Sequence, residues 1–130
     1  MDLVAEAKGQ IENLSCDEVA SEIKKGALVV DIREQVEREQ FGVIPGSVHV
    51  PRGLLEFIAD PASPMHQAGF DLDRRIILQC ATGGRSALAA RALKEIGFSN
   101  VAHGESGFNG WATENRPVEK IEALWDASSQ

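Results

Sequence analysis

The stretch that decides the fold of this 130-residue chain reads Ile76-Ile77-Leu78-Gln79-Cys80-Ala81-Thr82-Gly83-Gly84-Arg85-Ser86. Its aliphatic start predicts a buried strand, its glycines predict a tight loop, and the apolar periodicity that follows predicts a helix over residues 86–96. The loop opens with Cys80, which therefore lies beside inward-facing backbone N–H groups and the positive end of a helix dipole. Such surroundings favour a thiolate and can hold an anion, so Cys80 is the predicted nucleophile.

Short apolar runs alternate with helical patterns on both sides of this stretch. Strands are predicted over residues 27–32, 48–50, 76–79 and 100–102. Helices are predicted over residues 3–11, 16–25, 34–40, 53–59 and 86–96. The pair Ser15 and Glu18 has the spacing of a capping box before the second helix. The alternation indicates one α/β domain over residues 1–130, with a central, mainly parallel sheet flanked by helices.

Composition narrows the classes of partner. The formal net charge is −7, and nucleic-acid binding needs clustered cations, so we expect no nucleic-acid partner. The chain lacks a run of about 18 apolar residues, and its acidic start lacks the pattern of a secretory signal. We therefore expect no membrane association, a cytoplasmic location, and free thiols at both Cys16 and Cys80. The spacing of cysteines and histidines predicts no metal site.

Two arginines are candidates for binding an anion. Arg85 is expected to place a full positive charge at the rim of the Cys80 loop. Arg52 follows the strand at 48–50, and the carboxyl ends of parallel strands share one edge of the sheet, where ligands bind. An acidic protein repels anions at long range, so local donors must supply the attraction.

The other polar residues are expected to have structural roles. Asp31 and Arg33, at the end of the first strand, are interpreted as structural support. Solvated or packed positions are predicted for Glu34, Glu37, Glu39, His49, His66 and His103. Cys16 is interpreted as an ordinary helix residue, and Trp111 and Trp125 as packing groups.

The loop Cys80-Ala81-Thr82-Gly83-Gly84-Arg85-Ser86 resembles the active-site loop of rhodanese-type sulfurtransferases. Further segments are similar to that family's motifs in the same order: Val29-Val30-Asp31-Ile32-Arg33-Glu34, Ile44-Pro45-Gly46-Ser47-Val48-His49-Val50-Pro51, Gly97-Phe98-Ser99-Asn100-Val101 and Gly107-Phe108-Asn109-Gly110-Trp111. The resemblance covers about residues 14–120. Two positions depart from it, since Val43 replaces a usual histidine and Ser106 a usual glycine.

The resemblance implies a persulfide relay without metal or organic cofactor. The Cys80 thiolate would take sulfane sulfur from a small anionic donor, thiosulfate or polysulfide, and pass it to cyanide or a thiol. The donor would be bound by the loop residues Ala81, Thr82, Gly83, Gly84, Arg85 and Ser86. A sulfur-relay protein is a further partner that such chemistry allows.

Loop length separates this hypothesis from its nearest rival. Related folds that act on phosphate or arsenate carry one residue more between cysteine and arginine, whereas four residues separate Cys80 from Arg85. The shorter loop fits a protruding sulfur better than a tetrahedral oxyanion. Two other functions stay open at this point. One is a persulfide carrier or interaction module that serves a partner protein, and the other is an inactive regulatory domain, which the intact Cys80 disfavours.

Overall fold

The computed structural model describes residues 2–123, and a five-stranded sheet forms its centre. The strands are β1 (Glu12–Leu14), β2 (Leu28–Asp31), β3 (Val48–His49), β4 (Ile76–Gln79) and β5 (Val101–Gly104), in the spatial order β1-β5-β4-β2-β3. All four neighbouring pairs are parallel. The predicted α/β fold with a parallel sheet is confirmed, and the carboxyl ends of the strands meet at one edge.

Helices cover both faces of this sheet. They are α1 (Asp2–Lys8), α2 (Cys16–Lys24), α3 (Gln35–Phe41), α4 (Leu55–Ala59), α5 (Gly84–Ile96) and α6 (Gly107–Thr113), with a 3₁₀ turn at Arg52–Leu54. The capping box predicted before α2 is present. The Glu18 N–H donates to Ser15 Oγ at 3.2 Å, and the Ser15 N–H donates to the Glu18 carboxylate at 3.0 Å.

The alternation of side chains along β4 divides the core into two layers. Ile76, Leu78 and then Cys80 face the layer that contains α4 and α5, whereas Ile77 faces the layer that contains α2 and α6. The three aliphatic side chains of β4, those of Ile76, Ile77 and Leu78, are fully buried. The residue that follows β4 is therefore held by a rigid strand rather than by a mobile loop.

The structure corrects the predicted elements at both ends of the chain. The helix predicted over residues 3–11 ends at Lys8, because Asn13 Nδ2 donates to the Lys8 carbonyl at 2.9 Å and residues 12–14 join the sheet as β1. Neither β1 nor α6 was predicted. β1 is too short to show an alternating pattern, and α6 contains two glycines, which lower helix propensity.

The other predicted elements agree with the observed bounds to within about two residues. One of these shifts bears on function, since α5 begins at Gly84 rather than at residue 86. Part of the predicted loop is therefore the first turn of the helix. Trp111 is buried as expected, and Trp125 lies outside the described residues. Within the described part of the chain, no helix has the length and apolar character needed to cross a membrane.

Candidate active site

Cys80 directly follows β4 and its side chain is only 1% exposed. Two backbone groups donate hydrogen bonds to its sulfur: the Gly83 N–H at 3.1 Å and the Ser86 N–H at 3.3 Å. Both donors belong to the start of α5, where the helix dipole is positive. The geometry therefore places fixed partial positive charge against Sγ, as stabilisation of a sulfur anion requires.

Gly83 allows the chain to turn sharply between β4 and α5, so that these N–H groups face Sγ. Its φ is +92°, a left-handed conformation that other residues adopt only with strain, and a Cβ at this position would collide with the Glu105 carbonyl. The loop between β4 and α5 therefore packs, backbone against backbone, on the segment that follows β5. Of the other loop side chains, Ala81 is partly exposed and Thr82 is exposed.

The first turn of α6 holds the Cys80 loop from the other side. The Phe108 N–H donates to the Cys80 carbonyl at 2.8 Å, and the Asn109 N–H donates to the Ala81 carbonyl at 3.0 Å. Gly107 permits this approach, because its φ is +65° and an added Cβ would lie 2.5 Å from the Ala81 carbonyl oxygen. An element that sequence patterns did not reveal thus fixes the backbone on both sides of the thiol.

Arg85 does not present the uncompensated charge that was predicted. Its Nη1 and Nη2 each donate to a carboxylate oxygen of Glu37 at 2.8 Å. This hydrogen bonding lowers the pKa of Glu37 to about 2, so the pair stays ionised across the neutral range. The interpretation of Glu37 as part of a solvated helix face is wrong, since its carboxylate binds Arg85 of the Cys80 loop.

Arg52 is also paired with a carboxylate. Its N–H donates to the Ile32 carbonyl at 3.0 Å, which places its backbone at the carboxyl edge of the sheet as predicted. Its Nη1 donates to Glu56, four residues later, at 2.7 Å. The structure therefore brings Cys80, Gly83 and Ser86 together but directs the side chains of both candidate arginines toward neighbouring carboxylates.

Asp31 and Arg33 form a buried ion pair beside the loop. Arg33 is 1% exposed, and it donates to both carboxylate oxygens of Asp31 at 3.0 and 2.9 Å and to the Gly42 carbonyl at 2.8 Å. Its guanidinium also lies over the Phe108 ring, 4.1 Å from the centroid. The pair connects the end of β2 to α6, which carries the N–H groups that hold the loop.

A second polar group lies behind Cys80, and sequence reasoning missed it. Cys80 Sγ lies 3.4 Å from Ser86 Oγ, Ser86 Oγ lies 2.7 Å from His103 Nδ1, and His103 Nε2 lies 2.7 Å from Asn13 Oδ1. Asn13 Nδ2 donates to the Lys8 and Ile11 carbonyls, so its oxygen faces the ring and His103 carries its proton on Nε2. Nδ1 then accepts from the Ser86 hydroxyl, which offers only a lone pair to the Cys80 thiol.

The sequence contains one weak indication of this polar group, which is His103. His103 directly follows the strand predicted over residues 100–102, and the structure places it within β5 and buries it completely. A buried histidine needs partners for both ring nitrogens. One of them, Asn13, lies on the unpredicted strand β1, so the chain of contacts emerges only from the order of strands.

Burial lowers the pKa of His103 to about 4, and the charge of Lys8 adds to this shift. Between its ordinary pKa near 6.5 and about 4, the unfolded chain binds a proton that the native protein does not. We therefore expect the free energy of unfolding to fall by about 2–3 kcal/mol as the pH decreases through this window. Urea unfolding at several pH values measures the slope. His103→Gln should flatten it, whereas the matched control His66→Gln should keep it; an unchanged slope in His103→Gln would contradict the assignment.

Cys16 is buried and does not share the surroundings of Cys80. Its sulfur lies 3.3 Å from Ser106 Oγ, and burial raises the pKa of the Cys16 thiol, which makes it a poorer nucleophile. Ser106, which replaces a usual glycine, thus contacts this thiol. The described residues contain no cluster of three or more potential ligands from the His, Cys, Asp and Glu side chains.

Comparison with known proteins decides the family. A model of the rhodanese-like domain matches residues 15–114, which is most of the chain. The chain belongs to the rhodanese-like domain family. The Cys80 loop lies between β4 and α5 of this rhodanese-like domain.

Named relatives of this rhodanese-like domain include sulfurtransferases. It is 36% identical over 91 residues to the thiosulfate sulfurtransferase GlpE of Pseudomonas fluorescens, covering 69% of this chain and 74% of that protein. It is 34% identical over 89 residues to the probable adenylyltransferase/sulfurtransferase MoeZ of Mycobacterium tuberculosis, covering 68% of this chain. The matched region is 21% of the length of MoeZ, so that relative carries much more than this domain.

A solved structure from Rhodopseudomonas palustris superposes with a TM-score of 0.84 at 40% identity, covering 89% of this chain and 90% of that one. That protein is of unknown function and is described as a possible tyrosine phosphatase. Both chemistries, transfer of sulfur and hydrolysis of a phosphate ester, use a cysteine in an anion-binding loop. The geometry around Cys80 must therefore decide between them.

Proposed function

We propose that this rhodanese-like domain is a sulfurtransferase that carries sulfane sulfur as a persulfide on Cys80. The observation that carries the proposal is the pair of backbone N–H groups, from Gly83 and Ser86, directed at Sγ at 3.1 and 3.3 Å. They stabilise charge on the sulfur itself rather than on a bound oxyanion. The relatives named sulfurtransferase support the same chemistry.

The reaction divides into two displacements. In the first, the Cys80 thiolate attacks the outer sulfur of the donor; the donor S–S bond breaks, and the remainder leaves with the electron pair, as sulfite when the donor is thiosulfate. In the second, cyanide or a thiolate attacks the outer sulfur of the persulfide, and the Cys80 thiolate leaves. The Gly83 and Ser86 amides stabilise this thiolate before the first step and after the second.

The loop backbone is the proposed binding element for the transferred sulfur. Residues 81–86 supply N–H groups without side-chain motion, and the positive end of α5 adds a fixed partial charge. The Asp31–Arg33 pair supports this arrangement through α6. We propose no direct contact of that pair with substrate, because both side chains are buried.

Phosphatase chemistry is less well supported. A tetrahedral phosphoryl group needs several loop amides directed at its oxygens, whereas two of the loop amides already bind Sγ. The loop also has only four residues between Cys80 and Arg85. We expect hydrolysis of p-nitrophenyl phosphate to stay at background under conditions in which thiosulfate loads Cys80.

Mass spectrometry after incubation with thiosulfate tests the proposal. The intact protein should gain the mass of one sulfur atom, and cyanide should remove it with formation of thiocyanate. Cys80→Ser should abolish both the added mass and the turnover, because the serine hydroxyl cannot form the persulfide. Cys16→Ser is the matched control and should retain both. Failure of the wild type to gain sulfur from thiosulfate, polysulfide or a hydropersulfide would refute the assignment.

A further inference from the structure

In the described part of the chain, four arginines at the carboxyl edge of the sheet contact carboxylates. The pairs are Arg33 with Asp31, Arg38 with Asp31, Arg52 with Glu56, and Arg85 with Glu37, at 2.9, 3.1, 2.7 and 2.8 Å. A donor with two negative charges would gain most from a free cation at this edge. Arg52 follows β3 and Arg85 follows β4, and these two arginines are the candidates for binding a donor. The charge of each is already neutralised by a carboxylate of the protein itself.

The pair of Arg85 and Glu37 is fixed from both sides. Arg85 lies in the first turn of α5, and Glu37 lies in the first turn of α3, where its carboxylate also accepts the Glu34 N–H at 2.9 Å as part of a capping box. The two N–H···O bonds between guanidinium and carboxylate give a planar, bidentate contact. Glu37 is therefore held in place by its own helix and in turn holds the guanidinium.

Hydrogen bonding to Glu37 is the main cause that raises the pKa of Arg85, and Cys80 adds a smaller electrostatic contribution, so Arg85 and Cys80 interact. The carboxylate of Glu37 lies 2.8 Å from that guanidinium and cancels much of its field. Glu34 adds a further negative charge near Arg85. What remains to bind a donor is the partial charge of backbone N–H groups, which suits one sulfur and at most a single charge.

We propose that Glu37 is a specificity-determining residue that disfavours dianionic thiosulfate and favours, as sulfur donor, a hydropersulfide, R–S–SH, which carries at most one negative charge on its sulfur and reacts in its protonated form. This inference rests on the proposed function. In the favoured reaction the Cys80 thiolate attacks the outer sulfur of R–S–SH, the donor S–S bond breaks, and R–S⁻ leaves with the electron pair. Cys80–S–SH forms, so atoms and charge balance without a further reactant.

The test compares two second-order rate constants, for loading sulfur onto Cys80 from thiosulfate and from cysteine hydropersulfide. Each reaction is quenched rapidly, and mass spectrometry measures how much protein carries the added sulfur. In the wild type, the hydropersulfide should load Cys80 faster than thiosulfate. In Glu37→Gln, the rate with thiosulfate should rise about tenfold, and the rate with the hydropersulfide should change less than about twofold. The reason is that the Arg85 guanidinium loses its carboxylate partner, and only the dianion responds strongly to that positive charge. Glutamine also serves in a capping box, so α3 should stay intact.

Two further variants sharpen the result. Glu95→Gln makes the same change in net charge at the other end of α5, on an exposed residue, and should leave both rates unchanged. Glu37→Gln combined with Arg85→Gln should lose the gain with thiosulfate. The proposal is overturned when the wild type prefers thiosulfate, or when Glu37→Gln leaves the ratio of the two rates unchanged. Absence of loading by both donors would instead refute the sulfurtransferase function itself.

Discussion

Gly83→Ala is expected to lower the free energy of unfolding by about 3 kcal/mol or more and to abolish sulfur loading of Cys80. Two costs combine at this position. The φ of +92° is unfavourable for alanine, and the added Cβ would collide with the Glu105 carbonyl, which belongs to backbone that cannot rotate away. Relief of the clash would move the Gly83 N–H from Sγ, so stability and activity should fall together. Urea unfolding and the loading assay measure the two effects.

Gly46→Ala separates the two costs. Gly46 also has a left-handed φ, +82°, but no atom lies within 4 Å of its added Cβ. This variant should lose only the conformational part, about 1–2 kcal/mol, and should still load Cys80. Equal losses of stability in Gly83→Ala and Gly46→Ala would show that the contact with Glu105 has no energetic weight.

Arg33→Leu is expected to lower the free energy of unfolding by about 3–5 kcal/mol, because it leaves the Asp31 carboxylate buried with one arginine fewer. The Gly42 carbonyl also loses its hydrogen bond from Arg33, and Phe108 loses the guanidinium that lies over its ring. We expect weaker docking of α6 on the Cys80 loop as a consequence. Urea unfolding gives the stability, and the rate of alkylation of Cys80 reports on the loop.

Arg38→Leu is the matched control for this prediction. Arg38 contacts the same carboxylate, Asp31, at 3.1 Å, but through one hydrogen bond, whereas the Arg33 side chain donates two, and the Arg38 side chain is 12% exposed. Its loss should cost about 1.5–2 kcal/mol, the low end for a hydrogen bond to a charged group. A double variant, Asp31→Leu with Arg33→Leu, should recover part of the stability because no charge is then left buried. If Arg33→Leu costs no more than Arg38→Leu, burial of the pair contributes nothing.

The hypothesis that arginine side chains bind an anionic donor changes once these contacts are known. Arg85 and Arg52 have the positions that their sequence context predicts, yet each carries a carboxylate partner from a neighbouring helical segment. The electrostatics of the site thus depend on backbone N–H groups and a helix dipole. Residue type and spacing predict where an arginine lies, but not which carboxylate another segment brings to it.

The success of prediction along the chain followed the strength of the local pattern. The apolar run before Cys80 and the periodic helix after it were predicted correctly, because a buried strand and an amphipathic helix each leave a signature within a few residues. The short β1 and the glycine-containing α6 were missed, because contacts distant in sequence stabilise them. His103 was underestimated for the same reason, since its partners Ser86 and Asn13 lie 17 and 90 residues away.

The sequence by itself determined the strand–cysteine–loop–helix unit and the parallel α/β architecture, because these depend on local hydrophobic periodicity and on glycines at fixed offsets, and its motifs carried the resemblance to the family. Only the tertiary structure decided the electrostatics around the thiol. Glu37 covers Arg85, Asn13 fixes the tautomer of His103, and α6 holds the loop backbone. Each of these contacts joins segments that are remote in sequence, and Coulomb and hydrogen-bond energies depend on distances that no local pattern encodes.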